Sequence, residues 1–567
     1  PPLRGALSKA ANGFGTRVKN LIAKIDPVNV VTGSLFMEYE DLALKDIHED
    51  FILKRRYESI YTNEGMLLGS RWFLNIETRL QRTDDRVTLQ KPDMGLEYFR
   101  LTDGRWVSEK NGDESYRLTS DDEGYMVWEN ETGKNYQYDA DGKLHTVTDA
   151  NGNVTCMEYQ GGVLSRMTLP GGQFLDFIFR DGKLDRIEDA IKRQISYAYE
   201  GDLLTKVTLP NGGVISYEYT HNGHVHSITD QNGYTYVTTE FDFRGRATRQ
   251  VLSTGDEFII HYDDRNKKNT FTNPANGECT IYEYGRQKVV TKQTNADGTY
   301  MEKKYDAYEN CIYERDFNGN ETFREYDIRG NLLRETTPDG ITTEYAYDGK
   351  GRMTLRTDTE GAEEVWEYGS TGLLERHRIK IEENRYAVTA YTYDSRGRVL
   401  TETNPLGNEI NYDYEGLLGE PAAKFLPEGE ATFYRYDDAG RLMLEKNAAG
   451  TTGYGYNRRD DLTLRTDPMG NTTYYGRDLL GNMTELRPPI QYAAGMHGIR
   501  YHYDSMDRMV SAETPEGNLY LYRYGSEDSL TLSIHPNEAA DGGENGIRYD
   551  YDDRNRRIRA HYPDGGC

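Results

Sequence analysis

A repeat of about 21 residues limits how this chain can fold more than any other feature, because self-similarity at a fixed period indicates a repeat architecture. In the stretch REYDIRGNLLRETTPDGITTEYAYDGKGRM, from Arg324 to Met353, a Tyr-Asp pair, a glycine and a strand-like run occur twice. The aromatic residue that closes each unit recurs every 20 to 22 residues from Tyr138 to Tyr368, and the series continues to Tyr551. The repeat therefore extends over about three quarters of the chain.

Each unit has the pattern of a β-hairpin. The strand-like runs NLLRETT and ITTEYAY flank Asp339-Gly340, and Asp-Gly and Asn-Gly pairs supply the positive φ that tight hairpin turns need. Strand alternation places Ile341, Thr343, Tyr345 and Tyr347 on one face. The tyrosines are predicted to stack from hairpin to hairpin as a structural ladder. The predicted ladder residues are Tyr138, Tyr199, Tyr219, Tyr262, Tyr284, Tyr305, Tyr326, Tyr345, Tyr347, Tyr393, Tyr436, Tyr503 and Tyr524.

Composition predicts that the sheet winds up on itself. Apolar residues make up only 36% of the chain and mean hydropathy is −0.83. The 46 tyrosines suit a sheet face that is partly exposed to solvent, because the ring packs while the hydroxyl needs a polar partner. About forty strands at roughly 4.8 Å spacing would extend over roughly 190 Å, too far for an open twisted sheet. We therefore predict an all-β fold, with one long antiparallel sheet wound into a hollow spiral. The tyrosine face should point inward, and the alternating Glu and Arg face outward.

The repeats resemble a known family. The units YTYDSRGRVL from Tyr391 and YRYDDAGRLM from Tyr434 resemble the YD repeats of Rhs proteins, which are bacterial polymorphic toxins. The stretch DPVNVVTGSLFMEYEDL resembles the leader that precedes those repeats, and the leader motif comprises Asp26, Pro27, Gly33 and Trp72. The resemblance implies a β-cocoon that encloses a toxic C-terminal domain. Insecticidal toxin complexes and teneurins share the repeat, so it supports the fold more directly than the biological setting.

The resemblance suggests three segments. Residues 1–25 are expected to form a basic linker or short helix, residues 26–130 leader strands that cap one end, and residues 131–567 the YD-repeat shell. In the family an Asp-Pro-x-Gly motif closes the shell, and this chain stops inside a repeat before such a motif. The expectation is an open shell fragment whose effector is missing.

The sequence offers no arrangement typical of an enzyme, so no catalytic, cofactor-binding or metal-binding residue is predicted and no cofactor is expected. The cluster of His221, His224 and His226 is either a solvated turn or a metal site at a hairpin tip. The run from Glu314 to Glu325 has calcium-loop offsets, but strands rather than helices flank it. Cys156, Cys279, Cys311 and Cys567 match no metal spacing, and a Cys279–Cys311 disulfide requires their hairpins to stack suitably.

Charge and hydropathy limit the classes of partner that the chain can have. The net charge of −26 argues against a nucleic-acid partner, and no stretch is apolar enough to span a membrane. The main hypothesis is a non-catalytic scaffold that encloses its own C-terminal toxin domain, with the N-terminal region contacting a secretion apparatus. The parent protein would then be secreted or displayed at the cell surface. The alternative is a cell-surface adhesin or carbohydrate-binding protein, and an enzyme acting through the shell itself has the least support.

Overall fold

The computed structural model describes residues 28–566 without 61–66, 92–94, 110–115, 131, 287, 526–528, 537–544, 552–555 and 564. The predicted basic segment 1–25 and the leader residues Asp26 and Pro27 lie outside the described residues. Strands make up 58% of the structure and helix 1%. The predicted all-β fold with one long antiparallel sheet is confirmed.

Two small antiparallel sheets precede the repeats. The first contains β1 (Phe36–Leu44), β2 (Phe51–Glu58) and β3 (Trp72–Leu74), in this order. The second contains β4 (Arg79–Thr83), β5 (Arg86–Gln90), β6 (Leu96–Thr102) and β7 (Arg105–Ser108). Every second residue of the middle of β2 is buried, so this strand presents one face to the interior.

The third sheet contains all remaining strands, which pair in sequence order. They are β8 (Tyr116–Ser120), β9 (Gly124–Glu129), β10 (Asn135–Asp139), β11 (Leu144–Thr148), β12 (Val154–Gln160), β13 (Val163–Thr168), β14 (Phe174–Arg180), β15 (Lys183–Asp189), β16 (Gln194–Glu200), β17 (Leu203–Thr208), β18 (Val214–Tyr219), β19 (Val225–Thr229), β20 (Thr235–Phe241), β21 (Ala247–Leu252), β22 (Glu257–Asp263), β23 (Lys268–Thr272) and β24 (Cys279–Tyr284). The next are β25 (Val290–Thr294), β26 (Tyr300–Tyr305), β27 (Cys311–Arg315), β28 (Glu321–Tyr326), β29 (Leu332–Thr336), β30 (Thr342–Tyr347), β31 (Met353–Asp358), β32 (Glu363–Tyr368), β33 (Leu374–Glu382), β34 (Arg385–Tyr393), β35 (Val399–Thr403), β36 (Glu409–Asp413) and β37 (Ala423–Phe425). The last are β38 (Ala431–Tyr436), β39 (Leu442–Asn447), β40 (Gly450–Tyr456), β41 (Leu462–Thr466), β42 (Thr472–Arg477), β43 (Met483–Arg487), β44 (Ile499–Tyr503), β45 (Met509–Glu513), β46 (Leu519–Tyr524), β47 (Leu530–Ile534), β48 (Ile547–Tyr551) and β49 (Arg557–His561). One short helix, α1 (Pro489–Ala493), lies between β43 and β44.

The sheet is a continuous antiparallel ribbon. Its first pairing joins β8 to β9 and its last joins β48 to β49. Within the described residues no pairing joins β49 back to β8, so the ribbon does not close on itself. The ribbon begins at β8, upstream of the boundary at residue 131 that the sequence suggested.

Asp and Gly define the hairpin turns. In the turn after β28, the Asp327 amide donates to the Asn331 carbonyl at 3.0 Å, and the Gly330 amide donates to the Asp327 carbonyl at 3.1 Å. Gly330 has φ of 83°, a conformation that most side chains disfavour. This geometry explains why a glycine follows three residues after the aspartate in most of these turns, as after Asp327, Asp348 and Asp394.

A β-bulge recurs just before the closing aromatic residue of most units. Between Glu325 and Tyr326, for example, the register of β28 against β29 shifts by one residue, and the same shift recurs between Ala346 and Tyr347. Bulges bend a strand and increase its right-handed twist. A bend that repeats in nearly every unit curls the ribbon in one direction.

Contacts between distant repeats show that the ribbon winds over itself. We call the turns that follow odd-numbered strands the odd rim and those that follow even-numbered strands the even rim. The odd rim of residues 149–253 lies against the even rim of residues 396–505, and we call this contact the seam. Its hydrogen bonds join residues 243 to 268 positions apart, which corresponds to about twelve units per winding. They join Asn153 to Arg396, Gln173 to Asp438, Arg193 to Asp460, Asn211 to Leu479, Asn232 to Asp478 and Ser253 to Ser505.

The leader packs against the early part of the ribbon. The main buried cluster combines leader residues such as Leu53 and Trp72 with ribbon residues such as Ile187 and Ile215. In the part of the chain that the structure describes, this cluster and the side chains packed on it reach no further than Val290. We therefore call β10–β24 the covered segment and β25–β49 the open segment.

Candidate functional site: the tyrosine face of the wound sheet

The closing tyrosines make one repeated hydrogen bond. Each hydroxyl donates to a backbone carbonyl near the start of the preceding strand, next to the bulge, at 2.5 to 3.1 Å. The donor and acceptor pairs are Tyr159 to Leu144, Tyr199 to Leu184, Tyr219 to Leu204, Tyr262 to Ala247, Tyr305 to Val290, Tyr347 to Leu332, Tyr368 to Met353, Tyr393 to Leu374, Tyr414 to Val399, Tyr436 to Pro421, Tyr456 to Leu442, Tyr503 to Met483, Tyr524 to Met509 and Tyr551 to Leu530. Phenylalanine cannot make this bond, which explains the preference for tyrosine.

Not every predicted ladder residue makes this bond. The Tyr138 hydroxyl instead shares a hydrogen bond with Thr78 of the leader at 2.9 Å. Tyr284 and Tyr326 occupy the same position after a bulge as the other closing tyrosines. Tyr345 lies on the same face two residues before Tyr347, opposite Arg356 of β31.

The aspartate of each Tyr-Asp pair organises the following turn. One oxygen of Asp348 accepts the amides of Lys350 and Arg352 at 2.8 and 3.0 Å, and the other accepts Arg352 Nε at 2.7 Å. Burial alone raises the pKa of Asp348, but these hydrogen bonds outweigh it and the pKa is lowered. The Arg352 guanidinium then lies 4.4 Å from the centre of the Tyr368 ring in the next unit.

This Asp, Arg and Tyr arrangement recurs along the ribbon and links each unit to the next. The equivalent sets are Asp242, Arg246 and Tyr262; Asp394, Arg398 and Tyr414; Asp437, Arg441 and Tyr456; and Asp504, Arg508 and Tyr524. The Asp, Arg and Tyr residues recur because each of them has a partner within its own unit or the next.

Both described leader motif residues contact ladder tyrosines. Trp72 is fully buried, its ring centre lies 4.8 Å from that of Tyr217, and its indole N–H donates to the Tyr219 hydroxyl at 3.0 Å. Gly33 has φ of 75°, and a Cβ there would lie 2.5 Å from the Tyr262 hydroxyl. The leader therefore rests directly on the tyrosine face of the covered segment.

A buried ion pair, which the sequence reasoning missed, lies at this interface. The Arg55 guanidinium binds both carboxylate oxygens of Asp41, at 3.0 and 3.1 Å, and donates to the Tyr217 hydroxyl. The side chains of Arg55 and Asp41 are 0% and 1% exposed. The sequence signal was the position of Arg55 between Leu53 and Tyr57 on the buried face of β2.

The tyrosine face changes character along the ribbon. In the covered segment it carries aliphatic residues such as Ile187, Ile195 and Val207, which the leader buries. In the open segment the same face carries tyrosines and cross-strand ion pairs. These pairs are Lys303 with Glu314 at 3.1 Å, Arg324 with Glu314 at 3.2 Å and Glu335 at 2.8 Å, and Arg356 with Glu364 at 2.7 Å.

These pairs correct the expectation that the alternating Glu and Arg residues form only the face opposite the tyrosines, where Glu344 and Arg334 do lie. Pairing places Arg356 directly across from Tyr345, so the two side chains share a face. The open segment tolerates these charges on the tyrosine face because each charged side chain is paired with an opposite charge and remains partly exposed.

The predicted metal candidates form no site. His224 is 7% exposed and its ring stacks on Phe241, whereas His226 Nδ1 contacts the Thr239 carbonyl at 2.9 Å. Burial, followed by the charge of Arg71, lowers the pKa of His224. Across the described ranges no group of three or more His, Cys, Asp or Glu side chains has metal-binding geometry.

The two remaining sequence candidates are ordinary structural features. In the calcium-loop candidate, Asp316 accepts the amides of Asn318 and Asn320, as Asp348 accepts those of Lys350 and Arg352. Cys156, Cys279 and Cys311 are free thiols, which rules out a disulfide between the last two, and Cys567 lies outside the described residues.

Three family comparisons cover separate parts of the chain. Residues 123–273 match the teneurin YD-shell, residues 326–363 match the RHS repeat, and residues 25–99 match a domain of unknown function, DUF6531. These matches support the resemblance to Rhs and YD-repeat proteins. The match to the domain of unknown function precedes both repeat matches along the chain. No curated protein matches the sequence.

The solved structures that match the chain include toxin complexes. The Photorhabdus luminescens Tc holotoxin pore, with a mutation in TccC3, is 14% identical, with a TM-score of 0.44 over 91% of this chain and 30% of that one. A TcdB2-TccC3 structure without its hypervariable C-terminal region is 13% identical, with a TM-score of 0.43 over 88% of this chain and 31% of that one. This chain thus spans about a third of the length of the structures it matches.

Proposed function

We propose that this Rhs-type chain is the non-catalytic wall of a shell that encloses a C-terminal effector domain of its parent protein. One observation carries the proposal: a continuous sheet winds over itself with its tyrosine face turned toward the leader, and that face is left open beyond Val290. In this proposal the winding places the uncovered tyrosine face on the inside of the shell, where it would contact the enclosed domain.

The chemistry of the open segment suits an enclosed polypeptide. Tyrosine rings provide weak apolar contact, and the charges of Arg324 and Glu335 and of Arg356 and Glu364 neutralise each other within their pairs. The aliphatic residues that would bind a partly unfolded chain tightly are buried under the leader instead. This inner surface would therefore hold cargo without fixing it.

The setting follows from the same proposal. The parent protein would be secreted or displayed at the cell surface, with its own C-terminal toxin domain as cargo and the N-terminal region in contact with a secretion apparatus. The shell would bind no nucleic acid and no cofactor. No helix in the described ranges is long and apolar enough to cross a membrane.

Protease protection tests the proposal. A small folded reporter joined through a cleavable linker after Cys567 should be cut more slowly than the same reporter joined before Pro1, because the proposal encloses a C-terminal domain and not an N-terminal one. Equal cleavage rates at the two positions would contradict enclosure. Residues 1–567 alone should also leave bacterial growth unchanged when expressed in the cytoplasm, since the shell carries no toxic activity in this proposal.

A second candidate function, carbohydrate binding by a cell-surface adhesin, has one observation in its favour. An open groove on the tyrosine face is lined by residues that include Tyr345, Glu335, Asp339, Arg356 and Asp358. An aromatic ring beside carboxylates is a common arrangement in glycan sites. Binding on a glycan array that Tyr345→Ala abolishes, together with equal cleavage of the two reporters, would favour the adhesin.

A further inference from the structure

The loop between β1 and β2, residues 45–50, lies where the seam meets the leader. Asp46 contacts both sides of the seam: its side-chain oxygen accepts the Gly171 amide at 2.7 Å, and its carbonyl accepts the Gly419 amide at 3.2 Å. Gly171 belongs to the odd rim after β13 and Gly419 to the even rim after β36. Lys45 also pairs with Glu420 at 3.3 Å.

Glycines surround this loop so closely that no side chain would fit. A Cβ on Gly419 would lie 1.8 Å from the Ile47 carbonyl oxygen, and one on Gly171 would lie 2.9 Å from the Asp46 carboxylate. Gly440, on the even rim, would place a Cβ 2.7 Å from that of Lys45. Gly171 and Gly419 do not adopt positive φ, so close approach, not turn geometry, accounts for glycine at these two positions.

Neighbouring contacts extend the junction along the seam. His48 Nε2 lies 3.7 Å from a carboxylate oxygen of Asp149 and 3.4 Å from Asn153 Nδ2, and both residues are on the odd rim. Arg193, on the same rim, donates to the Ala43 carbonyl at the end of β1 and pairs with Asp460 across the seam. The leader and both rims therefore meet in one continuous set of contacts.

We infer that residues 45–50 act as a staple that fastens one winding of the sheet to the next and fixes the spacing between them. Much of the direct seam contact is made by exposed polar side chains, such as the pairs Asn232 with Asp478 and Ser253 with Ser505, for which water competes. The staple adds one backbone hydrogen bond, from the Gly419 amide to the Asp46 carbonyl, one from the Gly171 amide to the Asp46 side chain, and the buried Ile47 side chain. This inference concerns how the shell is wound, and it holds whatever the shell encloses.

A glycine substitution tests the staple without straining a turn. Gly419→Ala introduces a methyl group against the Ile47 carbonyl and should push the loop out of the seam. Gly349→Ala is the matched control, because Gly349 also lies on the even rim, also lacks positive φ, and would place its Cβ in open space. Asp46→Ala is an independent variant that removes the acceptor of the Gly171 amide.

The readout is a cross-link across a distant part of the seam. The hydroxyls of Ser253 and Ser505 lie 2.9 Å apart, so a Ser253→Cys, Ser505→Cys pair should form a disulfide when the windings are in register. Mass spectrometry of the linked peptide distinguishes this bond from reactions of the native cysteines. Gly419→Ala and Asp46→Ala should each slow the cross-link at least about fivefold, whereas Gly349→Ala should not change it, because the rate reports the effective concentration of the two thiols.

Two results would overturn the staple. One is a cross-linking rate that stays unchanged in both Gly419→Ala and Asp46→Ala, and the other is an equal slowing by Gly349→Ala. If Gly419→Ala does not accumulate as folded protein, Asp46→Ala decides alone, with far-UV circular dichroism confirming that its strands are intact. Reporter cleavage measures enclosure and the cross-link measures winding, so failure of one is distinguishable from failure of the other.

Discussion

At the scale of single residues, the Tyr-Asp pair supplies hydrogen bonds to backbone groups at the bulge and in the following turn. The bulge bends the ribbon but disrupts the ladder locally, and buried or half-buried carbonyls need partners. The closing tyrosine supplies a hydroxyl to the carbonyl next to the bulge, and the aspartate satisfies the amides of the turn. Curvature and turn formation are therefore encoded by two adjacent residues.

Removing one ladder hydroxyl should have a small, measurable cost. Tyr347→Phe keeps the ring but loses the 2.8 Å bond to the Leu332 carbonyl, so the free energy of unfolding should fall by about 1 kcal/mol. Urea unfolding followed by circular dichroism measures this change. Tyr308→Phe, at a turn tyrosine that is 62% exposed, is the control and should have almost no effect. Equal effects of the two variants would remove the special role of the ladder bond.

Breaking the buried ion pair should cost much more. Arg55→Met leaves the Asp41 carboxylate buried without its bidentate partner, and such losses typically cost about 3 to 5 kcal/mol. The double variant Arg55→Met, Asp41→Leu removes both charges and should recover most of the loss. Thermal unfolding of the single and double variants measures the difference. A single variant as stable as the native chain would show that the pair contributes no stability.

At the scale of elements, the connection from the leader sheet to β4 depends on one buried carboxyl group. Glu77 accepts the amides of Leu67 and Leu74, at 3.0 and 2.6 Å, and so holds the segment around β3 in place. Burial raises the pKa of Glu77 to about 7, although these two hydrogen bonds oppose the shift. The segment should therefore respond to pH near neutrality.

The sign of this response follows from the raised pKa. Between pH 4.5 and about 7, the folded chain holds a proton on Glu77 that the unfolded chain has lost, so the contribution to stability is complete below pH 4.5 and is lost as pH rises through about 7. Glu77→Gln removes this titration and should flatten the stability profile over that range. Urea midpoints at several pH values measure it. A slope that Glu77→Gln leaves unchanged would show that the Glu77 carboxyl group does not set the pH response.

At the scale of the whole molecule, the leader supplies the core that the repeats lack. The covered segment buries Ile187, Ile195, Leu204 and Val207 completely, and leader residues complete that cluster. The described residues of the open segment add no aliphatic face to this cluster, and that segment depends on the ladder, the turns and the ion pairs. The covered segment therefore needs the leader to bury its aliphatic face, whereas the open segment does not.

Removing residues 26–80 should therefore leave an aggregation-prone chain. The deletion exposes the aliphatic face of the covered segment, and large exposed apolar patches promote association. Light scattering and binding of a hydrophobic dye measure the effect, and adding the separate leader during refolding should reduce it. A soluble deletion product that binds no dye would show that the leader is only a linker.

The sequence by itself determined the period, the hairpins, the turn residues and the face on which Tyr345 and Tyr347 lie. These properties are local, because strand alternation and turn conformation are set by residues a few positions apart. Only the tertiary structure decided how many units make one winding, where the seam runs, and that Arg55 and residues 45–50 join the leader to the ribbon. Those contacts link residues up to 375 positions apart, and the winding sums a small bend from each strand, so no single unit encodes it.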